Sequence, residues 1–202
     1  MAVSSPALKI HCTPQEYLAL ERRSNVKHEF EDGKLYAMAG ASRNHGLVAM
    51  NLGREISTAL RNRPCEAFMS DMRVWVNETG LYTYPDLVVA CDEPVYQDNQ
   101  ADTLLNPSLI AEILSPSTES YDRGRKFAHY RRLASLREYV LVAQDRVFVE
   151  HWRLQGEEWT RSELKRREDL LHLESIGCVI ALETIYEKVV IAAFADSKRE
   201  EP

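Results

Sequence analysis

The residue pattern predicts an α/β fold, with a central mixed β-sheet flanked by helices and a β-rich C-terminal extension. Two runs carry the sheet: residues 87–90 (LVVA), and residues 109–114 (LIAEIL), which are apolar except for Glu112. Unbroken apolar runs of this length suit strands covered on both faces, as in the middle of a helix-covered sheet. Apolar residues at helical spacing (Leu47, Val48, Leu52, Ile56, Ala59, Leu60) lie ahead of these strands, and a second helical segment at 123–134 follows them. The chain has 202 residues, 45% hydrophobic and 28% charged, which is enough for one domain with a substantial core. That domain is expected over residues 1–196, with its core at about 13–154, the β-rich extension at about 155–196, and a disordered tail at 197–202 (SKREEP).

The elements follow in chain order. Thr13-Pro14-Gln15-Glu16 combines a capping residue, a proline at the first helical position and a capping-box glutamate, so a helix starts there and runs to about residue 23. Asp32-Gly33 between HEFE and KLYAM predicts a hairpin. Ser42 caps a second helix ending near residue 62. Beyond Pro64 the alternation at 72–76 reads as a strand, followed by the two apolar runs, the helix at 123–134, and strands at 138–142, 147–154 and 158–164. The end reads as a short strand from about Leu170 and a helical turn or two at 182–188.

Global features exclude several classes. Cys12, Cys65, Cys91 and Cys178 are never closer than 26 residues, so no CxxC pair is present and a zinc knuckle is not expected. Reduced thiols in the core are the expectation. The amino terminus (MAVSSPALKIHC) lacks the apolar stretch of a signal peptide. The longest apolar run, residues 189–195, is far short of the ~20 residues of a membrane helix. A soluble cytoplasmic protein without membrane attachment is therefore expected. The net charge of −6 argues against a nonspecifically basic nucleic-acid coat, but it leaves room for a local basic site.

The charge order contains such a site. Residues 77–122 hold nine acids and no Lys or Arg, whereas residues 123–137 hold six bases: Arg123, Arg125, Lys126, Arg131, Arg132 and Arg137. Most of the acids, including Asp92, Glu93, Asp98 and Asp102, fall in polar connections and read as solvated loop charge. Asp86, at the start of an apolar strand, and Glu112, inside one, are different, because burying a carboxylate is costly unless it is paired or bound to a metal. If the two strands are neighbours, ~4.8 Å apart, the carboxylates can share one small cation; pairing with an arginine is the alternative. Lys126 is the only lysine between Lys34 and Lys165 and lies one turn into the helix after the Glu112 strand. A helix returning over its strand directs Lys126 at both carboxylates; otherwise it is a surface lysine in an arginine-rich helix.

These residues resemble a known pattern. Pro85-Asp86 followed by Glu112-Ile113-Leu114 resembles the PD-(D/E)xK nuclease superfamily. YPDLVV at 84–89, AEILSPST at 111–118 and the segment from Asp122 through Lys126 to Tyr130 more closely resemble the Uma family of bacterial restriction-endonuclease-like proteins. HEFEDGKLYAM at 28–38, with Ser42 and His45, and EYVLV at 138–142 are similar to the same family. The resemblance implies a restriction-endonuclease-like core and metal-dependent hydrolysis of DNA phosphodiester bonds. It implies that Asp86 and Glu112 bind Mg²⁺ or Mn²⁺, with the carbonyl of Glu112 or Ile113 as a further ligand. The superfamily's motif lysine would fall at position 114, which is leucine, so the resemblance implies that the basic role has moved to Lys126. Glu29 would orient the metal or a ligating water, His45 would touch the phosphate or assist proton transfer, and Tyr130 would hydrogen-bond near the site. Each of the three also has a plain structural reading. Arg123, Arg125, Arg131 and Arg132 would contact the nucleic-acid backbone, or simply form a solvated helix face. The rival functions are a non-catalytic nuclease-fold module that binds nucleic acid or protein, and a hydrolase of a small phosphorylated molecule. The alternating strands at 147–164 suggest an exposed sheet that completes itself in a homodimer.

Overall fold

In the computed structural model, which describes residues 11–191, the predicted elements form in the predicted order. Helix α1 (Pro14–Glu21) has a complete capping box: the Thr13 hydroxyl accepts from Glu16 N, and the Glu16 carboxylate accepts from Thr13 N at 2.8 Å. Strands β1 (His28–Glu31) and β2 (Lys34–Ala37) form the hairpin, with φ of +50° at Asp32 and +78° at Gly33. Two adjacent left-handed residues match the right-handed twist of the strands, and Asp-Gly is a sequence that adopts them readily. Helix α2 (Arg43–Ala59) starts where the Ser42 hydroxyl accepts from His45 N at 3.1 Å.

The strands that follow are β3 (Cys65–Met69), β4 (Arg73–Val76), β5 (Leu81–Thr83), β6 (Leu87–Cys91), β7 (Thr103–Leu104) and β8 (Leu109–Leu114). A helix then returns over β8 in three parts: α3 (Glu119–Tyr121), a π-helical turn (Asp122–Lys126) and α4 (Phe127–Tyr130). The chain ends in β9 (Glu138–Ala143), β10 (Val149–Gln155), β11 (Glu158–Leu164), β12 (Leu170–Leu173), a 3₁₀ turn, β13 (Cys178–Ala181) and α5 (Leu182–Ile185).

The central sheet has six strands in the order β11-β10-β9-β8-β6-β3, with β8 and β9 parallel and the other pairs antiparallel. A second sheet, β2-β1-β5-β4-β7, carries the first hairpin, and β12-β13 form a separate ribbon. The expected boundary near residue 155 falls in the turn of the β10–β11 hairpin, so these two strands complete the central sheet. Successive residues of β6 lie in different cores: Leu87 and Val89 pack with α2, α5 and the β12–β13 ribbon, whereas Val88 and Ala90 pack with α4 and the second sheet. Coverage of both faces explains why the strand reads as unbroken apolar sequence. At ~1.5–3 kcal/mol for each fully buried large aliphatic side chain, this sheet is the main source of stability. Glu112 lies between Ala111 and Ile113, which face α2, and therefore points to the α4 side.

The thiol expectation fails for two of the four cysteines. Cys65 and Cys91 stand directly opposite each other on β3 and β6, 4.0 Å apart at Cα, and form a disulfide; Cys12 and Cys178 are free. A separation of 26 residues hides a juxtaposition that only strand register creates. Among the described residues, no helix is long and apolar enough to cross a membrane. The amino-terminal segment before His11, the end of the apolar run at 189–195 and the SKREEP tail lie outside the described residues.

Candidate active site

The antiparallel register of β6 and β8 pairs Leu87 with Ala111, and one further step sets Asp86 opposite Glu112. Asp86 Oδ2 accepts from Ile113 N at 2.7 Å, and Asp86 N lies 3.4 Å from Glu112 Oε2. His45, in the first turn of α2, brings Nε2 to 3.2 Å from Asp86 Oδ2. Gln144 holds this helix end in place: it donates to Leu114 O at 3.0 Å and accepts from the Ser42 hydroxyl.

The returning helix delivers Asp122, Lys126 and Tyr130, four residues apart, to the face that looks at the sheet. The π-helical turn coincides with this segment, as such turns often do at functional sites. Lys126 Nζ sits 2.9 Å from Glu112 Oε1, 3.1 Å from Glu29 Oε1 and 3.7 Å from Asp122 Oδ1. The Tyr130 hydroxyl donates to Glu112 Oε1 at 2.8 Å, so its role extends beyond packing. Glu29, brought in by β1, accepts from the Thr83 hydroxyl, which is also 3.4 Å from Tyr130 OH. Lys126 is therefore no surface lysine: only 6% of it is exposed, with Glu112 at 4% and Asp122 at 3%.

Three carboxylates, Glu29, Glu112 and Asp122, thus face one lysine, with Asp86 opposite Glu112 on the next strand, and the electrostatics reflect the excess. Burial pushes the Glu112 carboxyl up, to about 8; Asp122 and Asp86 add to the rise and Lys126 opposes it. Burial also raises Asp122 against the pull of Lys126. Burial disfavours the Lys126 ammonium, but Glu112 and Glu29 outweigh it and hold the group well above the ordinary lysine range.

Other expected residues are placed differently. Arg123 pairs with Glu119 at 3.0 Å and with Glu150, and Arg125 pairs with Glu31 at 2.7 Å and Asp32 at 3.0 Å. Both guanidinium groups are engaged within the chain, because positions 123 and 125 face acidic neighbours on β10 and the first hairpin. Arg131 is exposed, its guanidinium over the Phe127 ring at 5.2 Å, and Arg132 is exposed; neither forms an ion pair among the described residues. Asp98 and Asp102 are not simple solvated loop charge. They clamp Arg22 at 2.7 and 2.8 Å, and Asp102 also meets the buried Arg73 at 2.9 Å.

Sequence reasoning missed the part of Thr83 and the side-chain role of Asp122. The available signals were a hydroxyl residue between the two tyrosines just before Pro85-Asp86, and an acid one helical turn before Lys126. For a cation, the donor set fits a hard divalent ion: the donors are carboxylate oxygens, and the cluster has an unbalanced negative charge. Among the described residues, however, no three His, Cys, Asp or Glu side chains close on one point at metal-ligand spacing.

Comparison with known proteins shows the family. The family model Uma2, described as "Putative restriction endonuclease", matches residues 14–183. The Synechocystis sp. protein sll1609 is 41% identical over 153 residues, covering 75% of this chain and 86% of that one. A second Synechocystis sp. protein, slr1290, is 37% identical over 184 residues, covering 91% and 94%. The crystal structure of "a putative nuclease belonging to DUF820" from Anabaena variabilis shares the fold, with a TM-score of 0.74 at 18% identity over 89% of this chain and 99% of that one. The family model spans most of the chain, and the chain belongs to the Uma2 family.

Proposed function

We propose that this protein is a divalent-metal-dependent endonuclease that hydrolyses phosphodiester bonds in DNA. The observation that carries the reading is the convergence of Glu29, Glu112 and Asp122 on Lys126, with Asp86 one strand away from Glu112. Asp86 and Glu112 would hold Mg²⁺ or Mn²⁺, which when bound supplies Lewis acidity to a phosphoryl oxygen and acidifies water. Lys126 orients the attacking water and stabilises charge developing on the phosphorane, the role that Leu114 cannot fill. Glu29 holds the ammonium together with Glu112. Tyr130 fixes the Glu112 rotamer through Oε1 and leaves Oε2 for the cation. His45 orients Asp86 through Oδ2 and stands at the amino end of α2, where a phosphate oxygen is favoured. Arg131 and Arg132 offer free guanidinium groups to the DNA backbone. We further propose a cytoplasmic homodimer formed through the outer edge of β11, which has no strand partner among the described residues.

Plasmid cleavage with Mg²⁺ or Mn²⁺ tests the reading. Wild type is expected to nick or linearise DNA. Asp86→Asn, Glu112→Gln and Lys126→Ala are each expected to lose about 100-fold or more. Variants that cleave at the wild-type rate would remove the site assignment. Metal-independent DNA binding without cleavage by wild type would select the non-catalytic module instead.

A further inference from the structure

We infer that Lys126 is an internal counter-ion that competes with the divalent cation, so that metal binding displaces its ammonium from Glu112. The inference rests on the metal-dependent reading above and adds a regulatory step to it. Three observations carry it.

The first is spacing. The ammonium stands 2.9 Å from Glu112 Oε1 and 3.1 Å from Glu29 Oε1, so the carboxylates are set for an N–H donor at about 3 Å. A Mg²⁺ ion needs oxygens at ~2.1 Å in octahedral array.

The second is charge. Glu29, Asp86, Glu112 and Asp122 bring four negative charges when ionised, and Lys126 brings one positive charge. Removing that charge leaves the carboxylates without their own cation, which strengthens their pull on a foreign one. Two like charges at one carboxylate repel strongly in a buried site, so Mg²⁺ on Glu112 and the ammonium on Glu112 disfavour each other.

The third is an alternative seat. Asp122 lies 3.7 Å from Nζ on the same helix face, and Glu29 holds the ammonium independently of Glu112. Released from Glu112, Lys126 stays paired between Glu29 and Asp122 and need not enter solvent. It also stays beside the metal, where a donor to the attacking water is required. The same residue thus guards the empty site and serves the filled one. This predicts opposite effects of its removal on metal affinity and on cleavage.

The experiment is calorimetric titration of Mn²⁺ into wild type, Lys126→Gln and Asp86→Asn. Lys126→Gln is expected to bind Mn²⁺ about tenfold tighter than wild type, and Asp86→Asn to lose binding. Wild-type binding that is lost in Asp86→Asn but equal or weaker in Lys126→Gln would overturn this inference and leave the metal-dependent reading intact. No Mn²⁺ binding by wild type or Lys126→Gln would overturn both. Because Lys126→Gln leaves buried carboxylates uncompensated and could fail to fold, a second measurement uses wild type alone. The ¹⁵Nζ signal of Lys126, assigned by its loss in Lys126→Arg, is followed as Mg²⁺ is added. A shift in step with metal occupancy supports displacement, and a signal that stays fixed while Mg²⁺ binds overturns it.

Discussion

Asp102 shows how a single loop carboxylate ties distant parts of the chain together. It binds Arg22 beyond α1 and Arg73 on β4, and it accepts from the Thr103 hydroxyl at 2.9 Å. The Arg22 hydrogen bond, joined by Arg73 against the opposing effect of burial, holds its carboxyl well below the usual range. A carboxylate depressed in the folded state contributes stability above its unfolded pKa of ~3.9 and loses it as the pH falls through the folded value. Asp102→Asn is therefore expected to lower Tm at pH 7, with the gap from wild type shrinking below about pH 4. Thermal melts from pH 7 to pH 2 check this; a gap that widens on acidification would show that the pair is not the source. Asp102 is partly exposed, so solvent screening limits the size of the effect.

At the scale of elements, the helix after β8 and the edge strand β11 are the most informative. The π-helical turn places Asp122, Lys126 and Tyr130 on the sheet-facing side and sends Arg123 and Arg125 toward acidic neighbours. One helix thereby builds the site's basic centre and ties itself to β10 and the first hairpin. On its outer side β11 has no strand partner among the described residues, and most of its side chains are exposed. An unpaired edge of seven residues offers a row of backbone donors and acceptors to a second copy. Sedimentation of wild type is expected to give twice the chain's mass, and Arg161→Pro or Glu163→Pro, whose backbone N–H groups point away from β10, to give the monomer. A monomeric wild type would refute pairing through this edge.

For the molecule as a whole, the net charge of −6 meets a site whose basic residues are mostly consumed internally. Arg123 and Arg125 are paired, which leaves Arg131 and Arg132, at the end of the site helix, as guanidinium groups without an ion pair among the described residues. Each neutralised phosphate contributes about −0.9 to the slope of log K against log salt, so a shallow slope of about −2 per chain is expected for DNA binding. Titrations at several salt concentrations measure it. A slope of about −4 per chain would mean that the ion pairs of Arg123 and Arg125 open to meet DNA.

The sequence by itself determined the α/β class, the order of the major elements and two of the central carboxylates, Asp86 and Glu112. Buried strands covered on both faces must be apolar throughout, and Glu112 stood out because it violates that pattern. Helix starts and the hairpin were legible because capping and left-handed turns depend on a few adjacent residues. Short elements were not: β3, β5 and β7 have five, three and two residues and owe their form to partners far along the chain. Tertiary structure alone decided which strands belong to which sheet, the pairing of Cys65 with Cys91, and the arginines' commitment to Glu31 and Glu150. It also decided that Lys126 reaches Glu112 and Glu29. These are contacts between residues remote in sequence, set by strand register and by the path of a helix over a sheet, and no local pattern encodes either.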